Sequence, residues 1–132
     1  KSPGSIWNPD EDGDHLLLAA NEGYTGRTGY VDETSGAYYA SRLAVLEHLN
    51  DIDRQAKALV VRVATDEYWA PVGVWQIRES VRGALDGDAA TAETFHGAVK
   101  QLAPLFPVPF DRLRRKSHLV SGVQSTLDGF GR

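Results

Sequence analysis

The chain has 132 residues, enough for one ordinary domain with a buried core, and its 42% hydrophobic and 24% charged content is typical of a soluble globular protein. The net charge of −4 excludes a generic nucleic-acid binder with a basic surface all round, and no apolar run approaches the roughly 18 residues of a membrane span. Because there is no cysteine, disulfides and thiolate metal sites are excluded within these residues.

The first third of the chain is predicted to be loop with short strands. Turn formers and acidic side chains dominate residues 1–15, which we interpret as a loop. The apolar run 16–20 (LLLAA) predicts a short buried strand, and a second short strand is expected at Tyr30 and Val31. The glycine-rich segment 23–29 lacks the lysine and the following helix of a phosphate loop, so we interpret it as a turn.

Three helices and one further strand are predicted from residue 37 onward. The apolar stripe of Tyr39, Leu43, Leu46 and Leu49 predicts a helix over about 37–50. The β-branched run 58–64 (ALVVRVA) is the best strand candidate in the sequence. The remaining predictions are helices over 72–85 and 91–103, a stretch kept irregular by Pro104, Pro107 and Pro109, and a helical turn over 111–116. The predicted fold class is therefore α+β, a small sheet packed with about three helices, followed by an extended C-terminal tail.

The tail carries a short motif. Gln124, Leu127 and Phe130 have the spacing Q-x-x-L-x-x-F, which places Leu127 and Phe130 on the same side of one helical turn. Such a short terminal segment buries these side chains either on its own domain or in a partner's groove. The spacing resembles the PCNA-interacting peptide, or PIP motif, of proteins that bind the DNA sliding clamp. The resemblance covers Gln124, Ser125, Thr126, Leu127, Asp128, Gly129, Phe130 and Gly131, where Gly131 replaces a second aromatic.

Residues 68–79 (YWAPVGVWQIRE) allow two interpretations. Trp69 and Trp75 with Arg78 could stack a base and bind a phosphate, or the tryptophans could be core residues beside a solvated helix face. The basic cluster 112–116 (RLRRK) also allows two interpretations. Arg114 and Arg115 could contact DNA, or the cluster could be a solvated helix face. The four histidines show no metal-ligand spacing, so no metal site is predicted.

Three stretches together resemble the archaeal Nre family of DNA repair proteins, NreA type. They are residues 3–9 (PGSIWNP), 38–47 (YYASRLAVLE) and 68–79. The resemblance implies that residues 1–120 are the C-terminal domain of an Nre-like protein and that 121–132 are a flexible tail with a PIP motif. The absence of Met and the start at Lys1 also indicate a processed or truncated sequence.

The resemblance implies a role in the DNA damage response, with the sliding clamp (PCNA) as partner, DNA as a candidate second partner, and no membrane. The protein would act inside the cell, in the cytoplasm and at the chromosome. The family's zinc-finger-like region lies toward the N terminus, outside these residues, so no cofactor is expected here. The resemblance assigns no reaction.

The residues alone are also compatible with two other functions. One is a nucleic-acid-processing enzyme, with Arg62, Arg78 and Glu79 near the aromatic side chains in a catalytic pocket. The other is a single-strand-binding module without catalysis, which uses Trp69, Trp75 and the 112–116 cluster.

Overall fold

A computed structural model describes residues 1–67 and 73–117. Four α-helices follow one another in this part of the chain: α1 (Gly36–Asp51), α2 (Gly73–Asp86), α3 (Phe95–Leu102) and α4 (Phe110–Lys116). The predicted helices over 37–50 and 72–85 are confirmed to within a residue at each described end. The helical turn predicted at 111–116 is confirmed as α4, so the described residues contain four helices instead of about three.

The predicted sheet is wrong. Residues 1–67 and 73–117 contain no strand, only two isolated bridges, Ser5 to Asn8 and Gly23 to Gly26, and the fold is mostly helical with coil. A β-branched run forms a strand where a neighbouring strand gives it a pleated, half-buried surface to pack on. Residues 58–64 have no neighbouring strand in the described chain. Their backbone accepts one hydrogen bond from another segment, from Ser2 N to Ala64 O at 2.8 Å.

The two other predicted strands are also loop segments. Residues 16–20 run straight without pairing along their length, and their backbone contact with the N terminus is confined to Leu16. Val31 is buried, but in a loop that lies on α1. Its amide donates to the Tyr39 hydroxyl at 3.4 Å, and the Tyr30 and Tyr39 rings lie 4.9 Å apart. Val31 is thus buried beside α1 without a sheet, while Tyr30 remains 65% exposed.

Helices α1 and α2 pack together, and small residues make the contact. Ala40 and Ala44 of α1 and Ile77 of α2 are buried. The apolar stripe predicted for α1 is not the packed face, because Leu43 and Leu46 are 43% and 45% exposed. At the start of α1, Gly36 approaches Val74 so closely that a Cβ at this position would lie 2.5 Å from Val74 Cγ1. Small side chains therefore set the distance between these helices.

Helix α3 is shorter than predicted. It begins at Phe95 because Thr94 caps it: the Thr94 hydroxyl accepts a hydrogen bond from the Gly97 amide at 3.0 Å. A 3₁₀ helix, Ala103–Leu105, continues α3 and contains Pro104, which the sequence predicts to be irregular. Proline is tolerated there because the first residues of a helical turn need no N–H donor.

Candidate nucleic-acid interface

Helix α4 is fixed against the N-terminal loop through its first arginine. Arg112 donates to the Asp14 carboxylate at 2.9 Å and to the carbonyl oxygen of His15 at 3.1 Å. The His15 amide also donates to Asp14, and this bond, followed by Arg112, lowers the pKa of Asp14 below its usual value. At the other end of α4, the Asn21 side chain donates to the carbonyl of Lys116 at 3.4 Å. Arg112 therefore holds α4 in place.

The other cations of α4 are at its exposed C-terminal turn. Arg114 forms an ion pair with Asp111 of the same helix at 3.3 Å. Arg115 and Lys116 are exposed and make no ion pair with any other described residue. Their charges lie where the helix dipole is negative, which stabilises the end of α4 and leaves both side chains available to an anion.

A cleft of about 380 Å³ lies between α4 and the straight part of the N-terminal loop. It is lined by His15, Leu16, Leu17, Arg112, Arg115 and Lys116. Arginine and lysine side chains bind phosphate oxygens, and an apolar floor next to them suits a sugar or a base. Of the two arginines of α4 that were predicted to contact DNA, Arg115 lines the cleft and Arg114 does not. Lys116, which belongs to the predicted 112–116 cluster, also lines the cleft.

The other predicted contacts lie on α2. Trp75 is 64% exposed, so it is not a core residue. Arg78 is half-buried, and its Nε has no hydrogen-bond acceptor in the described part of the chain. Trp69 lies outside the described residues. The structure does not bring Trp75 or Arg78 into the cleft of α4, so the predicted nucleic-acid contacts fall on two separate surfaces.

Glu79 takes part in a structural ion pair with Arg82. Its carboxylate accepts from Arg82 at 2.7 Å, and Arg82 also donates to both carboxylate oxygens of Glu47 at 2.9 and 2.8 Å. The hydrogen bonds to Glu47, and then to Glu79, raise the pKa of Arg82. This group joins α2 to α1. Because Glu79 is exposed and does not line the cleft, the catalytic pocket predicted around Arg78 and Glu79 has no support in this geometry.

A second polar cluster has no counterpart in the sequence analysis. Arg42 donates from two nitrogens to the Glu22 carboxylate, at 2.8 and 3.1 Å, and the Tyr38 hydroxyl also donates to Glu22. Arg42 and then Tyr38 lower the pKa of Glu22. Burial, followed by the hydrogen bond to Glu22, raises the pKa of Tyr38 to about 12. The cluster anchors the glycine-rich turn to α1, and that turn is confirmed by the bond from Gly26 N to Gly23 O at 3.0 Å.

Neither a metal centre nor a membrane span is found in the part of the chain that the structure covers. No group of three His, Asp or Glu side chains within residues 1–67 and 73–117 could hold a metal ion. No described helix is both long and apolar enough to cross a bilayer.

Comparison with known proteins identifies the family. The family model for the archaeal Nre C-terminal region matches residues 22–130. The chain belongs to the archaeal Nre family. Its resemblance to the NreA type is confirmed by DNA repair protein NreA of Haloferax volcanii, which is 57% identical over 130 residues, 98% of the chain and 31% of that protein.

Two Nre proteins of Archaeoglobus fulgidus are also similar to this chain. DNA repair protein NreB is 36% identical over 129 residues, which cover 94% of the chain and 33% of that protein. DNA repair protein NreA is 39% identical over 95 residues, which cover 72% of the chain and 23% of that protein. The Nre chain thus spans about a third or less of the relatives that it matches. No solved structure gives a significant match.

Proposed function

We propose that this Nre chain serves in DNA repair and that its tail binds the sliding clamp, PCNA. The similarity to three DNA repair proteins of the Nre family supports the first part. The observation that carries the second is the spacing of Gln124, Leu127 and Phe130, which resembles a PIP motif and falls within the region matched by the family model. The tail lies outside the described residues. On this proposal the protein acts inside the cell, at the chromosome.

The proposal is tested with the intact protein and a variant that ends at Val123. Calorimetric titration into the cognate clamp is expected to give micromolar binding for the intact protein, because Gly131 leaves the second aromatic position of the motif empty. The truncated protein is expected to show no heat of binding. Equal binding by both proteins, or none by either, would remove the clamp from the proposal.

A second function, a direct contact with DNA, is favoured by the cleft of α4. We propose that Arg115 and Lys116 bind phosphates there, with Leu16 and Leu17 as an apolar floor. A net charge of −4 argues against non-specific binding over the whole surface, so the contact would be confined to this cleft. Arg114 contributes less to this DNA contact, because its charge is already paired with Asp111.

Neutralising Arg115 and Lys116 together to glutamine is expected to weaken binding of single-stranded DNA on the order of tenfold at low salt. Each lost phosphate contact reduces the slope of log affinity against log salt by about 0.7, so the slope falls by about 1.4. Fluorescence anisotropy over a series of salt concentrations measures both the affinity and its salt dependence. Arg54→Gln with Lys57→Gln is the matched control, because it removes the same charge from an exposed segment outside the cleft. Equal slopes in the two double variants would contradict a contact at this cleft.

A further inference from the structure

The glycine-rich turn 23–29 presents one tyrosine wholly to solvent. The Gly26 amide donates to the Gly23 carbonyl at 3.0 Å, so Tyr24 and Thr25 are the two central residues of a β-turn. Gly26 ends this turn at a φ of +79°, a left-handed conformation that glycine adopts without steric cost. Tyr24 is 100% exposed, so both faces of its aromatic ring are open to a ligand.

The turn is held at its base by its own arginine. Arg27 donates from Nη1 to the Asn21 carbonyl at 2.7 Å and from Nε to the Gly29 carbonyl at 3.5 Å. Its guanidinium lies 5.9 Å from the centre of the Tyr38 ring on α1, which is a cation–π contact. These contacts tie both ends of the turn to one side chain. Tyr24 is thus carried by a turn of fixed shape, which lowers the entropy cost of stacking a ligand on its ring.

The turn also lies next to the cleft of α4. The Asn21 side chain donates to the carbonyl of Lys116 at 3.4 Å, so the start of the turn contacts the end of α4. Tyr24 follows Asn21 by three residues, which places their Cα atoms within about 11 Å of each other. Lys116 lines the cleft together with Arg115. A fully exposed aromatic ring and two exposed cations therefore lie close together at the C-terminal end of α4.

Single-stranded nucleic acid is the ligand that this combination fits. Proteins bind single strands without sequence preference by combining cations for the phosphates with aromatic side chains on which the bases stack. In a double helix the bases already stack on one another, and separating them costs free energy. We propose that Tyr24 stacks on a base of single-stranded DNA whose phosphates are bound by Arg115 and Lys116. This inference rests on the proposed DNA contact at the cleft and adds a residue that binds a base.

Replacing Tyr24 by leucine removes the aromatic faces and keeps an apolar side chain. We expect Tyr24→Leu to bind an oligothymidylate at least about fivefold more weakly than the unmodified chain, the lower end of the effect of losing one base–aromatic stack. Tyr24→Phe is the matched control, because it keeps the ring, and its affinity should stay within about twofold. The side chain is fully exposed, so neither change disturbs the fold. Equal affinities of Tyr24→Leu and the unmodified chain would overturn the proposal.

The salt dependence of binding separates the stacking contact from the phosphate contacts. Stacking on a base releases no counterions, so the slope of log affinity against log salt should be the same for Tyr24→Leu and the unmodified chain. Neutralising Arg115 and Lys116 should lower that slope. If these two cations change the slope while Tyr24→Leu changes nothing, the cleft binds DNA and the assignment of Tyr24 is wrong. If the unmodified chain does not bind the strand, both the contact at the cleft and the role of Tyr24 are refuted.

A strand without bases tests the same contact from the side of the DNA. An abasic deoxyribose-phosphate oligomer keeps the phosphates and offers no ring to Tyr24. The preference for oligothymidylate over the abasic strand should be at least about fivefold greater in the unmodified chain than in Tyr24→Leu. Fluorescence anisotropy with the four combinations of protein and strand measures this difference. An equal preference in both proteins would mean that Tyr24 contacts no base, and the proposal would fail.

Discussion

Replacing Gly36 by alanine is expected to destabilise the protein by about 1–3 kcal/mol, the usual cost of forcing extra atoms into a packed contact. The new Cβ would lie 2.5 Å from Val74 Cγ1, where no relaxed contact between carbon atoms is possible. Valine has few χ1 rotamers in a helix, so relief requires either an unfavourable rotamer or a shift of α2. A shift would also disturb the packing around the buried Ala40 and Ala44, which lie on the same face of α1 as Gly36.

Gly83→Ala is the matched control, because it adds the same methyl group to α2 at a position where no atom of the residues that the structure describes lies within 4 Å of the new Cβ. In a helix interior this change is expected to stabilise by about 0.5–1 kcal/mol. Urea unfolding of both variants, followed by far-ultraviolet circular dichroism, compares them. If Gly36→Ala is as stable as Gly83→Ala, the close approach of α1 and α2 at Val74 is incorrect.

The helices could be predicted from the sequence because their signals are local. The apolar spacing of α1 and α2 and the glycine and proline residues near the helix ends are all read within a few residues of the element. Helix α3 begins four residues after the predicted start because the cap is Thr94 and not Thr91. Both threonines are local cap signals, and the structure selects the second.

The buried face of α1 could not be predicted from apolar spacing. Hydrophobicity favours Leu43 and Leu46 as core residues, yet the packed face is that of Ala40 and Ala44. Two helices that approach closely need small side chains at the contact, and alanine spacing is a weak signal in a sequence with 15 alanines spread along its length. The sheet prediction failed for a related reason: strand propensity describes one segment, whereas a strand requires a partner that the described residues do not supply.

The candidate interface depends on contacts between distant parts of the sequence. The charge cluster of α4 was visible in the sequence, but the cleft arises only because Arg112 reaches Asp14, 98 residues away. Because of that contact, Arg112 fixes the position of α4. Arg115 and Lys116 remain exposed and line the cleft beside Leu16 and Leu17. The cluster of Glu22, Tyr38 and Arg42 was missed for the same reason, since no spacing rule links a carboxylate to a tyrosine 16 residues away.

Phe130→Ala is expected to reduce the affinity of the tail for the sliding clamp by at least about 30-fold, which corresponds to the roughly 2 kcal/mol of a hot-spot aromatic residue. If the tail binds as the proposed PIP motif, Phe130 and Leu127 would share one side of a helical turn and enter an apolar pocket of the clamp, whereas Thr126 would lie off that side. Thr126→Ala in the same peptide, residues 124–132, is therefore expected to leave the affinity within about twofold. Calorimetry of both peptides against the clamp distinguishes them, and equal losses would mean that the tail does not bind as a PIP motif.

The same peptide also allows a gain of affinity to be tested at Gly131. A PIP motif places a second aromatic there, so Gly131→Phe should add a buried ring and remove the backbone freedom of glycine from the unbound tail. Both effects favour the complex, and we expect the affinity to rise about tenfold. Non-specific apolar association would increase equally for a phenylalanine placed at Gly129, which lies off the binding side. A rise for Gly131→Phe without a rise for Gly129→Phe would therefore assign the binding to the motif and not to the hydrophobicity of the tail.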